Sequence, residues 1–172
     1  MKQNNLSLFQ LLTIAYVWFF SMNLSIIHAQ TYGQRGMVVS SNVIASQIGI
    51  GILKKGGNAI DASIATAFAL QVTHPTAGNI GGGGFLVFMN AVGMVTTIDF
   101  REKAPLTASP NMFLDSKGQL IHESNHETLL AVGVPGTVAG LYLAHQKYGT
   151  LAWKELVQPA VNLAQKGFIM PW

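Results

Sequence analysis

The stretch Gly78-Asn79-Ile80-Gly81-Gly82-Gly83-Gly84-Phe85-Leu86-Val87-Phe88-Met89 decides the fold class. Consecutive glycines carry no side chain to pack, so they let the backbone pass close to a neighbour and adopt unusual dihedrals. The five apolar residues behind them have no polar alternation, which predicts a strand covered on both faces. Asn90 to Gly93 supplies turn residues and Met94-Val95-Thr96-Thr97-Ile98 is rich in β-branched side chains, so the spacing predicts a β-hairpin entered through the glycine run. Asp99-Phe100-Arg101-Glu102 stands where the second strand ends, a place from which functional side chains project.

Working outward toward the N-terminus, His74-Pro75 closes a helix, because the residue before proline is pushed out of the helical region. That helix, Ala59 to Val72, has almost no charge, and Asn58 with Asp61 three residues on forms a capping-box pattern at its start. Its small residues Ala59, Ala62, Ala65, Thr66 and Ala69 predict close approach of a neighbouring backbone, as for a helix lying on a sheet. Before it, Met37-Val38-Val39 reads as a short strand and Asn42 as the cap of a helix in which Ile44, Ile48 and Ile52, with Ala45, Gly49 and Leu53 beside them, form an apolar stripe facing a core. Gly56-Gly57 stops that helix. Toward the C-terminus, residues 103 to 134 are loop-rich. Pro135-Gly136-Thr137 opens a helix through about Tyr148, closed by Gly149, and a last helix from Trp153 is interrupted or kinked at Pro159 and capped by Gly167. Helices alternating with a hairpin imply a layered α/β (α+β) arrangement and not a bundle.

Composition narrows the function classes. In 172 residues, 49% hydrophobic and only 10% charged side chains exclude a disordered polar chain. The net charge of +3 comes from few charges with one adjacent basic pair, Lys54-Lys55, so nucleic acid is not an expected partner. No cysteine is present, which excludes thiol catalysis and disulfides. Lys2, the mostly apolar run Leu8 to Phe20 and the small residue Ala29 predict a secretory signal over 1–29 with cleavage before Gln30. The mature chain, 30–172, is then exported to a periplasmic or extracellular location without a stable membrane span. The alternative is an uncleaved signal anchor, since Leu6 to Ile27 is long enough for a bilayer core of ~30 Å.

Five ordered motifs carry a family resemblance: Gly56-Gly57-Asn58-Ala59-Ile60-Asp61-Ala62, Thr73-His74-Pro75, Gly78 to Phe85, Asp99-Phe100-Arg101-Glu102 and Val134-Pro135-Gly136-Thr137-Val138-Ala139-Gly140. From about Gly36 to the C-terminus the chain resembles the gamma-glutamyltranspeptidase family (gamma-glutamyltransferase, glutathione hydrolase). The resemblance implies an N-terminal nucleophile hydrolase with an αββα sandwich, made as a precursor that cleaves itself into a large and a small subunit. Residues 30–172 then correspond to the N-terminal part of the large subunit, an incomplete portion of the sandwich. The implied substrates are glutathione or other γ-glutamyl compounds, the implied partner is the small subunit of the same precursor, and no cofactor or metal is implied. The family's nucleophile is a threonine that opens the small subunit, expected beyond Trp172, so no catalytic residue is expected in this chain and the chain alone is expected to be inactive. An internal threonine such as Thr137 lacks the free α-amine that chemistry needs and is read as helix-start structure. A related acylase or poly-γ-glutamate processing enzyme, or a non-catalytic secreted fragment, are the alternative readings.

The resemblance carries over one site residue, Arg101, as the group that grips the α-carboxylate of the γ-glutamyl moiety. A guanidinium can make two parallel hydrogen bonds to a carboxylate. From the residue pattern alone, a local ion pair of Arg101 with Asp99 or Glu102 is the favoured role, and the resemblance reverses that preference. The glycine run does not read as a phosphate loop, since neither Gly-Lys-Ser/Thr nor a helix follows it. His74 is read as a structural or capping group. His122-Glu123-Ser124-Asn125-His126 matches a zinc-protease pattern in letters, but it lies in a polar, turn-rich segment that lacks the apolar stripe of a supporting helix, and it is read as a solvated loop.

Overall fold

The computed structural model describes Ser7, Phe9, Leu12, Thr13, residues 16–18 and residues 32–169. Residues 1–35 and 36–172 form separate units, and the second holds the elements from helix α1 (Val43–Lys54) onward. The signal-cleavage boundary at Ala29 lies outside the described residues, among which no helix is long and apolar enough to cross a membrane.

Helix α1, Val43–Lys54, starts where the Asn42 side chain accepts hydrogen bonds from the backbone N–H of Ile44 (2.9 Å) and Ala45 (3.4 Å). Its most buried residues are Ala45, Gly49 and Ile52, while Ile44 and Ile48 are half-buried. The expected apolar stripe faces the core, with its small members and Ile52 deepest. The approach is closest at Gly49, where a Cβ would overlap Thr66 Oγ1 and lie 2.8 Å from Val38. Ala45, Gly49 and Ile52 form the contact line, and Ile44 and Ile48 flank it.

Helix α2, Ala59–Thr73, carries the complete capping box: Asn58 Oδ1 accepts from Ile60 and Asp61, and Asp61 Oδ2 accepts from the Asn58 N–H at 3.0 Å. Ile60, Ile64, Ala65, Phe68 and Ala69 are buried, so the uncharged sequence reflects burial on most sides. Its principal neighbours are α1 and the last helix, so its small residues receive helices and not mainly a sheet. His74 caps it, and the His74 carbonyl accepts from Ala77 and Gly78.

Strands β1, Phe85–Met89, and β2, Val95–Asp99, pair antiparallel with Phe85 opposite Asp99 and Met89 opposite Val95. Asn90 Oδ1 organises the turn by accepting from Val92 and Met94, and Gly93 takes φ +82°. The expectation that β1 is covered on both faces is not met. Leu86, Phe88 and Ile98 turn inward, whereas Phe85, Val87, Met89 and Val95 remain 65%, 72%, 67% and 61% exposed. The uniform apolar character calls for a second layer that the described residues do not supply. Met37-Val38-Val39 likewise forms no strand, having no ladder partner; Val38 serves the core instead.

Helix α3, Thr137–Tyr148, and helix α4, Trp153–Lys166, complete the core. Pro159 sits inside α4 without dividing it, and Gly167, at φ +72°, caps it. Trp153 meets Phe68 edge-on at 5.4 Å between ring centroids. Residues 103–134 contain one short 3₁₀ turn, Leu129–Ala131, and the isolated bridges Lys103–Val134 and Leu114–Leu120.

The start of α2 also holds the α3–α4 junction. Asn58 Nδ2 donates to the Tyr148 carbonyl at 2.6 Å. The fully buried Asp61 carboxylate accepts from the Thr150 N–H at 3.0 Å, from the Thr150 hydroxyl and, at 3.5 Å, from the Leu151 N–H. His145 Nε2 lies 2.7 Å from the Leu151 carbonyl and so is its donor. Burial pushes the Asp61 carboxyl up, but the Thr150 hydroxyl and the backbone N–H groups of Asn58, Thr150 and Leu151 together outweigh it and hold the group below its ordinary value.

Candidate functional site

Arg101 follows the end of β2 and borders a cavity of about 260 Å³ whose walls include Asp99, Phe100, Lys103, Pro135 and Gly140. Asp99 Oδ1 accepts from the Arg101 backbone N–H at 3.0 Å, an Asx-type turn that directs the chain out of the strand. The guanidinium pairs with neither Asp99 nor Glu102; the ion pair among the described residues is His122–Glu123 at 3.7 Å. The local ion-pair role for Arg101 is thus not formed, and its side chain is exposed.

The backbone beneath Arg101 is fixed from two sides. The Phe100 N–H donates to Gly84 O at 3.0 Å and the Gly84 N–H returns to Phe100 O at 3.4 Å, extending the hairpin ladder by one pair. A Cβ on Gly83 would lie 2.6 Å from Glu102 N and 2.8 Å from Arg101 Cα. From the other side, a Cβ on Gly136 would overlap the Phe100 carbonyl, and one on Gly140 would overlap the Phe100 ring. The expectation that the glycines serve close backbone passage holds, and the passing backbone is that of Phe100 to Glu102; the expected unusual dihedrals are not found, since no glycine from Gly78 to Gly84 takes a positive φ.

Gly136 and Thr137 both donate their N–H groups to Gly82 O, at 2.9 and 3.0 Å, and the Thr137 hydroxyl donates to Asn79 O at 3.3 Å. Thr137 is buried and committed to the first turn of α3, as its helix-start reading requires. Within the glycine run, the Gly82 and Gly84 N–H groups are engaged by the carbonyls of Asn79 and Phe100, which leaves neither aimed at an anion.

His122 to His126 lies in turns, with Glu123 at φ +56° and the His122 side chain 92% exposed. A zinc-protease pattern needs a helix to bring both imidazoles to one face, and none forms. Among the described residues no group of three or more His, Asp or Glu is placed to hold a metal ion.

Sequence reading missed a second cavity, of about 390 Å³, bordered by Gln71, Asn79, Gly82, Glu102 and Thr137. Phe100 borders both cavities. Both amide atoms of Gln71 are buried and unpartnered. The one signal in sequence is a polar side chain in the otherwise apolar Phe68-to-Val72 run.

A model of the gamma-glutamyltranspeptidase family matches residues 45–172. A glutathione hydrolase proenzyme from Pseudomonas sp. (strain A14) is 53% identical over 137 residues, and one from Escherichia coli (strain K12) is 51% identical over the same length. Each alignment covers 80% of this chain and 24% of the relative, so the chain spans about a quarter of the length of these relatives. The crystal structure of Helicobacter pylori gamma-glutamyltranspeptidase superimposes with a TM-score of 0.77 at 50% identity, covering 81% of this chain and 40% of that one. The α+β arrangement is accordingly part of an N-terminal nucleophile hydrolase sandwich, with one helical layer and a hairpin of the sheet present. With 128 of its residues inside the family model and 53% identity to a relative over 137 residues, the chain belongs to the gamma-glutamyltranspeptidase family.

Proposed function

We propose that this chain is the N-terminal part of the large subunit of an exported gamma-glutamyltransferase. The enzyme cleaves the γ-glutamyl amide of glutathione and related compounds and passes the acyl group to water, amino acids or peptides. In this reading 1–29 is a secretory signal and 30–172 the start of the large subunit, working in the periplasm or outside the cell with the small subunit of the same precursor. The nucleophilic threonine belongs to that small subunit. Its hydroxyl adds to the γ-carbonyl as its own α-amine takes the proton; the C–N bond then breaks, the amine leaves with a proton, and water or an amine releases the acyl group.

The observation that carries the reading is Arg101, a guanidinium free of carboxylate partners among the described residues, beside a cavity and on a segment whose backbone is closed on by Gly83 and Gly136 and whose Phe100 ring is closed on by Gly84 and Gly140. Its role is to bind the α-carboxylate of the γ-glutamyl group through two parallel hydrogen bonds. Lysine keeps the charge and loses the paired geometry. In a precursor made by joining residues 36–172 to the remainder of a matching relative, Arg101→Lys is expected to lower kcat/KM for γ-glutamyl substrates by roughly 30-fold to a few thousand-fold. Self-cleavage should persist, since it does not use the substrate carboxylate. A change within about twofold, with processing intact, would remove Arg101 from the site. Export is tested separately by N-terminal sequencing of the secreted chain, which should begin at Gln30; a chain retaining Met1 is the anchored alternative.

A further inference from the structure

We infer that Gly140 of α3 is a positioning residue for Arg101: it opens the slot that seats the Phe100 ring and thereby sets where the guanidinium stands. The inference rests on the reading of Arg101 as the carboxylate-binding group. Phe100 is bracketed at both ends. A Cβ on Gly140 would overlap its Cβ and Cγ, while a Cβ on Gly84 would come within 3.0 Å of Cε2 and 3.2 Å of Cζ at the far end of the ring. The ring therefore cannot slide away from α3 without pressing on the glycine run. The Phe100 backbone cannot yield independently either, being bonded to Gly84 and covered by Gly136.

Something must move when Gly140 gains a methyl group, and α3 is the firmer partner. Its start is tied to Gly82 O through Gly136 and Thr137, and its end is tied to α2 through Asn58–Tyr148 and Asp61–Thr150. The segment on the other side ends in Arg101, whose side chain is exposed and bonded to no carboxylate among the described residues. Close-packed interiors transmit such displacements, so the strain goes to Arg101. The Val-Pro-Gly-Thr-Val-Ala-Gly motif thereby gains a role at the site although none of its side chains bears a charge.

A carboxylate grip acts on ground state and transition state alike, so its misplacement raises KM and leaves kcat nearly unchanged. In the joined precursor, Gly140→Ala is expected to raise KM for a γ-glutamyl anilide by about ten- to a hundredfold, with kcat within about threefold and self-cleavage unimpaired. Gly84→Ala, which meets the far end of the ring less severely, should shift KM in the same direction by less. Gly51→Ala in α1, where an added Cβ meets nothing within 4 Å, is the control for glycine-to-alanine change in a helix and should leave KM alone. Crystal structures of the Gly140→Ala and parent proteins read the displacement of Phe100 and Arg101 without any turnover. An unmoved Arg101, an unchanged KM, or a loss of self-cleavage matching the loss of turnover would overturn the positioning role. Absence of γ-glutamyl turnover in the parent would instead defeat the functional reading, while the structural comparison still decides the positioning.

Discussion

Replacing Asp61 with alanine is expected to lower the stability of the helical layer by about 3–5 kcal/mol, among the larger losses a single substitution produces. The carboxylate is fully buried and accepts from the N–H groups of Asn58, Thr150 and Leu151 and from the Thr150 hydroxyl. Alanine leaves these donors facing a small apolar gap, and unsatisfied buried donors cost more than the bonds are worth when made. Thermal melting followed by circular dichroism should shift down by on the order of 10 °C. Hydrogen exchange at the Thr150 and Leu151 amides should speed up before exchange in the middle of α2. The pH dependence has a definite sign. The folded-state value is lowered below the ordinary 3.8, so the contribution is fully present above that value and is lost as pH falls through the folded one. Acid sensitivity should therefore appear below about pH 4 and be absent in Asp61→Asn. An Asp61→Ala protein melting within 2 °C of the parent would show that Thr150 and Leu151 find other acceptors.

The double use of Asp61 illustrates what is legible in this sequence. Its bond to the Asn58 N–H spans three residues, and the pattern Asn-x-x-Asp ahead of an apolar run is enough to predict it. Asn42, the Asn90–Gly93 turn, Gly149 and Gly167 were predictable for the same reason: each satisfies backbone groups within one turn of itself. The bond from Thr150 to Asp61 spans 89 residues, and nothing local distinguishes a capping aspartate from one that also holds a distant loop. The inward face of α1 was legible from its apolar stripe, but that Ala45 and Gly49 lie deeper in it than Ile44 and Ile48 was not, because that depends on where Thr66 approaches Gly49. At the site, the position of Arg101 after β2 was legible from strand and turn spacing. The slot that fixes it, made by Gly83, Gly84, Gly136 and Gly140, joins motifs some 50 residues apart that sequence shows only as separate glycines.

Expressed alone from Gln30 to Trp172, the chain is expected to hydrolyse no γ-glutamyl anilide and to self-associate. The proposed nucleophile lies in the small subunit, and the outward row Phe85, Val87, Met89 and Val95 stands more than 60% exposed on a sheet that, among the described residues, has two strands and unpaired outer edges. An uncharged, five-residue apolar strand with free edges is a template for pairing with another copy. Val87, at 72% exposure in the middle of that row, separates the consequences cleanly. In the isolated chain, Val87→Lys places an ammonium where water now stands and should convert aggregates to a monomer by light scattering and sedimentation. In the joined precursor the same position is expected to lie between the two sheets of the sandwich, where an unpaired ammonium costs several kcal/mol. There Val87→Lys should abolish soluble, self-cleaved protein, although it lies on the face of β1 opposite the helical core. The two effects have opposite signs, and no change in helix or hairpin propensity produces both. A joined precursor that folds and processes normally with Lys at this position would show that the outward face of β1 stays wet in the complete domain. The apolar run from Phe85 to Met89 would then be no sign of a second layer.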